Sequence, residues 1–210
     1  MDVKEFVGVI KKGVELGLPG EAMHKLLLPD QRDLHSVANE KTIYSAVVVL
    51  VNLNKQTPHI TFIERAKYNG IHSGQIAFPG GKFEKSNDKT FVDTAIRETF
   101  EEIGYKIDKS QIVCELSNLL ISVSNIVIYP FVAIAQFLPD LKPNSDEVDN
   151  IFSVPITEFA VDKIKTGVFK GDNYKVNAPY WCVNGKKIWG ATAMIVAEFI
   201  GLLSNVNKNM

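Results

Sequence analysis

The sequence predicts an α+β protein in which a mixed β-sheet packs between helices, with a helical extension at the N-terminus. Apolar residues recur at helical spacing at the start of the chain, two β-branched runs follow, and an amphipathic helical pattern separates them from later strand-like runs. With 210 residues and 46% hydrophobic content, the chain can bury the core of a single domain. We expect residues 1–40 to form the extension and residues 41–210 the main domain.

The first part of the chain predicts helices followed by a β-hairpin. Residues 3–28 have helical spacing, interrupted by Gly17-Leu18-Pro19-Gly20, which indicates one or two helices joined by a turn. Residues 44–51 are mostly apolar and β-branched, as in a buried strand. Residues 60–65 form a second strand, which we expect to pair with the first.

The middle of the chain predicts a long loop and then a helix. Residues 68–82 are rich in glycine and lack periodicity, and loops of this length in a domain are often functional. A helix is expected at residues 89–103, with Asn87 or Asp88 as its N-cap and Gly104 at its end. Further on, residues 118–124 and 126–137 resemble strands, whereas residues 188–203 mix strand and helix signals.

The bulk charge and the cysteines exclude several classes of protein. The 23 basic and 24 acidic residues nearly cancel, so neither a nucleic acid nor an anionic membrane is an expected partner. An anionic ligand must then be held by local charges or by metal. Cys114 and Cys182 form no CxxC pair or disulfide framework, and we interpret both as buried thiols. Without a signal-peptide pattern or a long apolar run, we expect a cytoplasmic protein.

Three glutamates define the most informative surface of the predicted central helix. Glu98, Glu101 and Glu102 cluster opposite its apolar side, at spacings of three and four residues. Like charges at these spacings weaken a helix by a few tenths of a kcal/mol per pair. A hard divalent cation would relieve this repulsion, since Mg²⁺ prefers carboxylate oxygens. The alternative is a solvated acidic face.

The residues around these glutamates resemble a known motif. Gly80-Gly81, followed by Arg97-Glu98, Glu101-Glu102 and Gly104, resembles the Nudix box, GX5EX7REUXEEXGU, where U is a bulky aliphatic residue. The first half of the motif departs from this pattern, because its spacing is two residues longer and Lys89 occupies the position of the usual glutamate. The nearest acidic residues are Asp88 and then Glu84, and Thr99 and Tyr105 occupy two of the aliphatic positions.

A second motif lies upstream and indicates a subfamily. Residues 63–66 (Ile-Glu-Arg-Ala) and 72–81 (His-Ser-Gly-Gln-Ile-Ala-Phe-Pro-Gly-Gly) are similar to the signature of coenzyme A pyrophosphatases, LLTxRS followed by GQxxFPGG. The arginine of the spacer is absent, and Lys67 and His72 are the nearby cationic candidates. Residues 146–155 and 188–193 are also similar to that group. The resemblance covers about residues 44–203 and implies a Nudix-type fold.

The resemblance implies a metal-dependent hydrolase of pyrophosphate bonds. Glu98, Glu101 and Glu102 would bind Mg²⁺ or Mn²⁺, which bridges pyrophosphate oxygens and lowers the pKa of a bound water. Gly80 and Gly81 would let the loop backbone approach the helix, and Gly81 would offer a carbonyl ligand. Arg97 would pin the loop and orient a glutamate through a bidentate pair. Alternatively, Arg97 forms only a surface ion pair, and Gly80-Gly81 only a turn.

The general base is harder to assign from sequence, since Nudix enzymes take it from different places. Glu147 is our candidate, although it can equally be one of several acids in a solvated turn. His72 would polarise a phosphate oxygen or would only pack in its loop. Trp189 and Tyr180 are interpreted as core or interface aromatics rather than base-stacking platforms.

The expected substrate is coenzyme A or an acyl-coenzyme A, cleaved to 3',5'-ADP and (acyl-)4'-phosphopantetheine. Gln75, Gly80 and Gly81 would contact it through the upstream motif, and Arg65, Lys67 and Lys82 would supply charge for its 3'-phosphate. One alternative is another Nudix pyrophosphatase, acting on ADP-ribose, NADH or another nucleotide. Another is a Nudix-fold nucleotide-binding protein without catalysis, as Lys89 suggests. A homodimer is compatible with all of these readings.

Overall fold

The computed structural model describes residues 2–53, 57–67, 72–171 and 174–208. The α-helices are α1 (Val3–Glu15), α2 (Gly20–His24), α3 (Phe91–Ile103) and α4 (Gly190–Lys208). The first seven strands are β1 (Ile43–Asn52), β2 (His59–Arg65), β3 (Ile76–Ala77), β4 (Gly80–Lys82), β5 (Ile112–Glu115), β6 (Leu119–Ile121) and β7 (Ile126–Ala135). The last four are β8 (Val148–Pro155), β9 (Lys165–Gly171), β10 (Tyr174–Val183) and β11 (Lys186–Trp189).

The main sheet is mixed, as the sequence predicts. Its order is β3-β2-β1-β7-β5, with β4 on β1, β6 on β7 and β8 on β2. The predicted hairpin is confirmed, since β1 pairs antiparallel with β2. Strand β1 also pairs in parallel with β7 along its whole length. Its unbroken apolar run therefore fits a central strand that is covered on both faces.

The two faces of the sheet are covered by different helices. Helix α3 packs on one face, where Ala95 and Ile103 join Val48 and Leu50 in a buried cluster. On the other face, α1 and α4 contribute to a larger core that includes Phe6 and Phe199. A mixed sheet between helices is thus confirmed. None of the helices in the ranges that the structure describes is long and apolar enough to cross a membrane.

The N-terminal helices contact the C-terminal helix closely. A Cβ atom added to Gly13 of α1 would lie 2.7 Å from Leu202 Cδ2 of α4, and one at Gly201 would lie 2.6 Å from Met23 Cγ. The glycines therefore let the backbones approach. The prediction of two helices joined by a turn is confirmed, and these helices bury their apolar faces against the rest of the fold.

Helix α3 begins two residues later than the sequence predicts. Its N-cap is Thr90, which forms a capping box with Asp93, so the prediction of Asn87 or Asp88 is wrong. Asp88 is instead engaged by Thr94 and Arg97, and its carboxylate does not cap the helix. The predicted end is confirmed, because Gly104 adopts the left-handed conformation with φ 70°.

The C-terminal part contains a three-stranded antiparallel sheet that the sequence analysis did not predict. Strand β10 lies between β9 and β11, and β11 leads directly into α4 at Gly190, where φ is 61°. This direct junction explains the mixed signal of residues 188–203. Cys114 is half-buried, but Cys182 of β10 is exposed, so the interpretation of Cys182 as a buried thiol is wrong.

Candidate functional site

Two glycines bring the loop after β3 against the acidic helix. Gly80 has φ 150°, and a Cβ there would lie 2.3 Å from the Ala46 carbonyl oxygen of β1. A Cβ on Gly81 would lie 2.3 Å from the carboxyl carbon of Glu98. A Cβ would therefore clash with the β1 backbone at Gly80 and with the Glu98 side chain at Gly81, so the glycine pair lets β4 lie between β1 and α3.

Glu102 is the most deeply buried of the three glutamates, with 2% of its surface exposed. Its Oε2 accepts a hydrogen bond from the backbone N–H of Gly80 at 2.8 Å. Burial raises the pKa of this carboxyl to about 8, against the opposing effects of the Gly80 N–H and the Arg65 charge. The negative charge of an ionised Glu102 is therefore not fully neutralised by its neighbours, and a bound cation would neutralise it.

Arg97 joins the helix to the loop. Its Nε and Nη2 donate to the two Asp88 oxygens, both at 2.9 Å, and Nη2 also donates to the Lys82 carbonyl. This bidentate bond holds the pKa of Asp88 at about 2. Asp88 is therefore the partner of Arg97. The Nudix box usually has a glutamate one position later, where this chain has the exposed Lys89. The sequence named Asp88 only as the nearest acid.

Arg97 also contacts the other two glutamates. Its Nη1 donates to Glu98 Oε1 at 3.0 Å and to Glu101 Oε2 at 2.9 Å. The Glu98 side chain is 14% exposed and that of Glu101 is 51% exposed. Burial also raises the pKa of Glu98, and the charges of Glu101 and Glu147 act in the same direction. Glu98 and Glu102 thus lie against the glycine pair, while Glu101 lies at the rim.

Glu147 and Arg65 reach the same site from the strands. The charge of Glu147 raises the pKa of both Glu98 and Glu102, which places it among the carboxylates although it is distant in sequence. The Glu147 carbonyl accepts from the Ala66 N–H at 2.8 Å, so the 144–147 turn is held beside the end of β2. The Nε atom of Arg65 is buried and has no hydrogen-bond partner among the residues that the structure describes.

The oxygen-rich donor set suits a hard divalent ion, although the carboxylates are engaged. In the described ranges, no three acidic, histidine or cysteine side chains are arranged as a ready metal site. Arg97 takes one oxygen each of Glu98 and Glu101. A side-chain rotation of Glu101, which is half-exposed, would free it. The chemistry of the donors fits Mg²⁺ or Mn²⁺, and the burial of Glu98 and Glu102 without a full countercharge points the same way.

Two of the remaining predicted substrate-binding residues, His72 and Gln75, contact each other. His72 Nδ1 is 3.2 Å from Gln75 Oε1, and Gln75 Nε2 donates to the Tyr174 hydroxyl at 3.3 Å. These side chains therefore face the three-stranded sheet. Lys67 and Lys82 are exposed. Residues 68–71 of the predicted loop lie outside the described residues.

Comparisons with known proteins agree with this geometry. The family model described as NUDIX domain matches residues 42–173. A human protein named mitochondrial coenzyme A diphosphatase NUDT8 is 27% identical over 164 residues, covering 76% of this chain and 69% of its own. A Caenorhabditis elegans protein named Nudix hydrolase 3 is 26% identical over 188 residues, covering 81% and 77%.

Solved structures show the same fold. A MutT/nudix family protein from Enterococcus faecalis superposes with a TM-score of 0.54 at 16% identity, covering 83% of this chain and 66% of the other. The family model spans more than half of the 210 residues, and the carboxylates of α3 lie within the matched range. The chain therefore belongs to the Nudix family and is a pyrophosphohydrolase.

Proposed function

We propose that this enzyme cleaves coenzyme A or an acyl-coenzyme A to 3',5'-ADP and (acyl-)4'-phosphopantetheine. The observation that carries the proposal is the contact between the upstream motif and the acidic helix. The segment ending in Phe78-Pro79-Gly80-Gly81 delivers its two glycines onto Glu98 and Glu102. That motif resembles the coenzyme A pyrophosphatase signature, and a human relative carries the name coenzyme A diphosphatase.

The proposed mechanism assigns the metal to the buried end of the acidic face. Glu98 and Glu102, with Glu101 from the rim and the Gly81 carbonyl, would hold Mg²⁺ or Mn²⁺. When bound, the ion neutralises the pyrophosphate and lowers the pKa of a water. Arg97 keeps the loop and α3 in register through Asp88 and the Lys82 carbonyl. Arg65, whose charge lowers the pKa of Glu102, would supply a cation for a pyrophosphate oxygen.

Glu147 is the proposed general base. It is exposed, yet close enough to Glu98 and Glu102 for their charges to interact. An exposed carboxylate beside the metal ligands can accept a proton from the attacking water and release it to solvent. Glu147→Gln should then lower kcat without changing the free energy of unfolding appreciably, because the side chain is not packed.

A substrate panel tests the proposal directly. The purified protein, with Mg²⁺ or Mn²⁺, is incubated with coenzyme A, an acyl-coenzyme A, ADP-ribose and NADH, and the products are identified by mass spectrometry. We expect 3',5'-ADP and the phosphopantetheine product, with coenzyme A preferred. If the protein cleaved ADP-ribose or NADH efficiently and left coenzyme A intact, the proposed substrate would be wrong. The assignment as a pyrophosphohydrolase would still hold.

The proposal of a non-catalytic nucleotide-binding protein is weaker. Lys89 at the usual glutamate position favoured it, but Asp88 already pairs with Arg97 through both oxygens. The contact expected of that glutamate is therefore made by its neighbour. Turnover of none of the panel, with tight nucleotide binding, would instead support the binding protein.

Location and assembly are also proposals. We propose that the enzyme acts in the cytoplasm, which cell fractionation would test, and the name of the human relative makes mitochondria the alternative to examine. We propose a homodimer as the assembly to test by light scattering. Neither nucleic acid nor membrane is a proposed partner, since acidic and basic residues nearly cancel.

A further inference from the structure

A second cavity lies on the side of β2 away from α3. It has a volume of about 450 Å³ and is bounded by the loop at Gly74 and Gln75 on one side and by the β10–β11 hairpin on the other. Glu64, Lys186, Lys187 and Trp189 also line it. The volume is in the range of small-molecule sites, and the metal-site carboxylates do not line it.

The lining residue Trp189 packs against other aromatic rings. Trp189 stacks on Phe169 with ring centroids 4.2 Å apart and an interplanar angle of 16°, and the Tyr174 ring lies 6.3 Å away. Trp189 is only half-buried, so part of its ring remains accessible. An indole edge or face open to a cavity can pack against a planar base.

The cavity carries one excess positive charge. Lys186 is ion-paired with Glu64, so these two lining charges cancel. Lys187 is exposed, and its Nζ lies 5.2 Å from the Tyr180 ring centroid and 5.5 Å from that of Phe169. Lys187 makes no ion pair with any residue in the described part of the chain. Its ammonium is therefore held by rings and keeps its charge for an anion.

The cavity and the metal site meet at β2. Glu64 lines the cavity, and its neighbour Arg65 faces Glu102. The Arg65 N–H donates to the Gln75 carbonyl at 3.0 Å, which ties the cavity wall to the same strand. Adjacent residues of one strand thus line the cavity and interact with Glu102.

We propose that this cavity binds the adenosine 3'-phosphate end of the substrate, with Trp189 packing against the base and Lys187 pairing with the 3'-phosphate. The inference rests on the proposed function and adds a specificity site to it. It also separates two roles that the sequence combined, because Arg65 is directed to the pyrophosphate. Lys187, rather than Arg65 or Lys67, then recognises the group that distinguishes coenzyme A from dephospho-coenzyme A.

The kinetic test compares coenzyme A with dephospho-coenzyme A. In Lys187→Ala, the preference for coenzyme A in kcat/KM should fall about tenfold, the size of one charge-assisted contact. The matched control is Lys175→Ala, an exposed lysine of β10 outside the cavity, which should keep the preference. A loss of preference in Lys67→Ala but not in Lys187→Ala would overturn the assignment, as would an equal loss on both substrates.

A binding test is independent of turnover. Adenosine 3',5'-bisphosphate and AMP are titrated into metal-free protein by calorimetry. The wild type should bind the bisphosphate more tightly than AMP, and Lys187→Ala should remove about tenfold of that difference. Trp189→Leu should weaken both ligands, whereas Trp189→Phe should retain most of the affinity.

The two tests keep the inference separate from the proposed function. Lys187-dependent binding of the bisphosphate by a protein that leaves coenzyme A intact would support the cavity and contradict the proposed reaction. If coenzyme A were cleaved and Lys187→Ala had no effect in either test, the proposed role of the cavity would be wrong and the proposed reaction would be supported.

Discussion

Glu102 combines deep burial with a single hydrogen bond, and this makes the metal-free protein sensitive to pH. Its pKa is raised to about 8 in the folded chain from an ordinary value of 4.5. Between these values the folded state holds a proton that the unfolded state has lost. The free energy of unfolding must therefore fall as the pH rises from about 4.5 to about 8.

The first prediction is that Glu102→Gln removes the part of this pH dependence that Glu102 contributes. The amide oxygen can still accept from the Gly80 N–H, and no buried charge forms at this position. Urea unfolding of the metal-free variant should show a smaller loss of stability from pH 5 to pH 8 than the wild type, with Glu98 contributing to the part that remains. Turnover should fall by about 100-fold to 1,000-fold. A wild-type stability that rises from pH 5 to pH 8, or full turnover in the variant, would contradict this.

Glu101 differs from Glu102 because its half-exposed carboxylate pairs with Arg97. Glu101→Gln removes a surface pair worth under about 1 kcal/mol and also a repulsion with Glu98 of a few tenths of a kcal/mol. We therefore predict little net change in thermal midpoint and a large loss of turnover. The midpoint is measured by calorimetry, and unchanged turnover at saturating Mg²⁺ would contradict a metal-binding role.

Asp88 is the second residue with a shifted pKa, and its contribution to the free energy of unfolding changes with pH in the opposite direction. Its pKa of about 2 in the folded state lies below the ordinary 3.8, so its contribution is complete above pH 4 and disappears as the pH falls towards 2. Asp88→Asn should lower the free energy of unfolding at neutral pH by about 3 kcal/mol, since Arg97 loses a nearly buried partner. It should also reduce acid sensitivity between pH 4 and pH 2. Asp162→Asn, at an exposed position, is the control for denaturant unfolding at each pH.

The sequence predicted the composition of the site better than its contacts. The carboxylates of α3 were predicted from helical spacing, because helix geometry fixes which side chains share a face, and the glycine pair was predicted from the resemblance to the Nudix box. The partner of Arg97 could not be predicted in this way, since Glu84 and Asp88 are both near in sequence and only the fold decides which one Arg97 reaches. Glu147 was a candidate from the sequence, whereas Lys187 was not, because no local pattern connects its distant segment with the proposed substrate site.

At the scale of elements, the contact between β4 and α3 depends on two glycines, and we expect substitutions at these two positions to have different effects. A Cβ at Gly80 would meet the backbone of β1, which cannot yield, whereas a Cβ at Gly81 would meet the end of the Glu98 side chain, which can rotate. We predict that Gly80→Ala costs about 3 kcal/mol or more. Gly81→Ala should cost under about 1 kcal/mol and yet displace the Glu98 carboxylate, with loss of most turnover.

Denaturant unfolding and steady-state kinetics on the two variants check this pair. Gly8→Ala is the control, because a Cβ at Gly8 of α1 meets nothing within 4 Å. It should raise stability by about 0.5 to 1 kcal/mol through helix propensity and leave turnover unchanged. An active Gly81→Ala variant would contradict the close approach of β4 to Glu98.

The sequence predicted β1 and α3 well, but it missed the short strands and also β8, β9 and β10, which have seven to ten residues. Strand β1 and helix α3 carry many residues of one period, so each stands out from its neighbours. Strands β3, β4 and β11 have two to four residues, too few for any period to show. The cap of α3 was misplaced because residues 86–90 offer several capping side chains, and the reciprocal bond with Asp93 selects Thr90.

At the scale of the whole molecule, a buried polar connection joins the two ends of the chain. Glu198 of α4 is fully buried and lies 2.9 Å from His24 Nε2 of α2. Its other oxygen accepts from the N–H and the hydroxyl of Ser117, before β6. Every oxygen of this carboxylate is thus satisfied, and three distant segments depend on it.

This connection bears on how residues 1–40 relate to residues 41–210. Helix α1 supplies Phe6 and Ile10 to the same core as α4, and Glu198 of α4 adds a polar contact with His24 of α2. We therefore predict that the extension and the main domain unfold together. Far-UV circular dichroism and tryptophan fluorescence should give coincident denaturant transitions, since Trp181 and Trp189 lie in the C-terminal sheet, far from α1 in sequence.

The last prediction is that Glu198→Ala shifts this single transition without dividing it. Removal of the carboxylate leaves His24 and Ser117 without their buried partner and opens a void, which should cost about 3 to 5 kcal/mol. Glu158→Ala, which removes an exposed pair with Lys163, is the matched control and should cost under about 1 kcal/mol. If the helical signal of Glu198→Ala were lost at lower denaturant than the fluorescence signal, residues 1–40 would be a separately folding unit, and the buried connection would be local to α2 and α4.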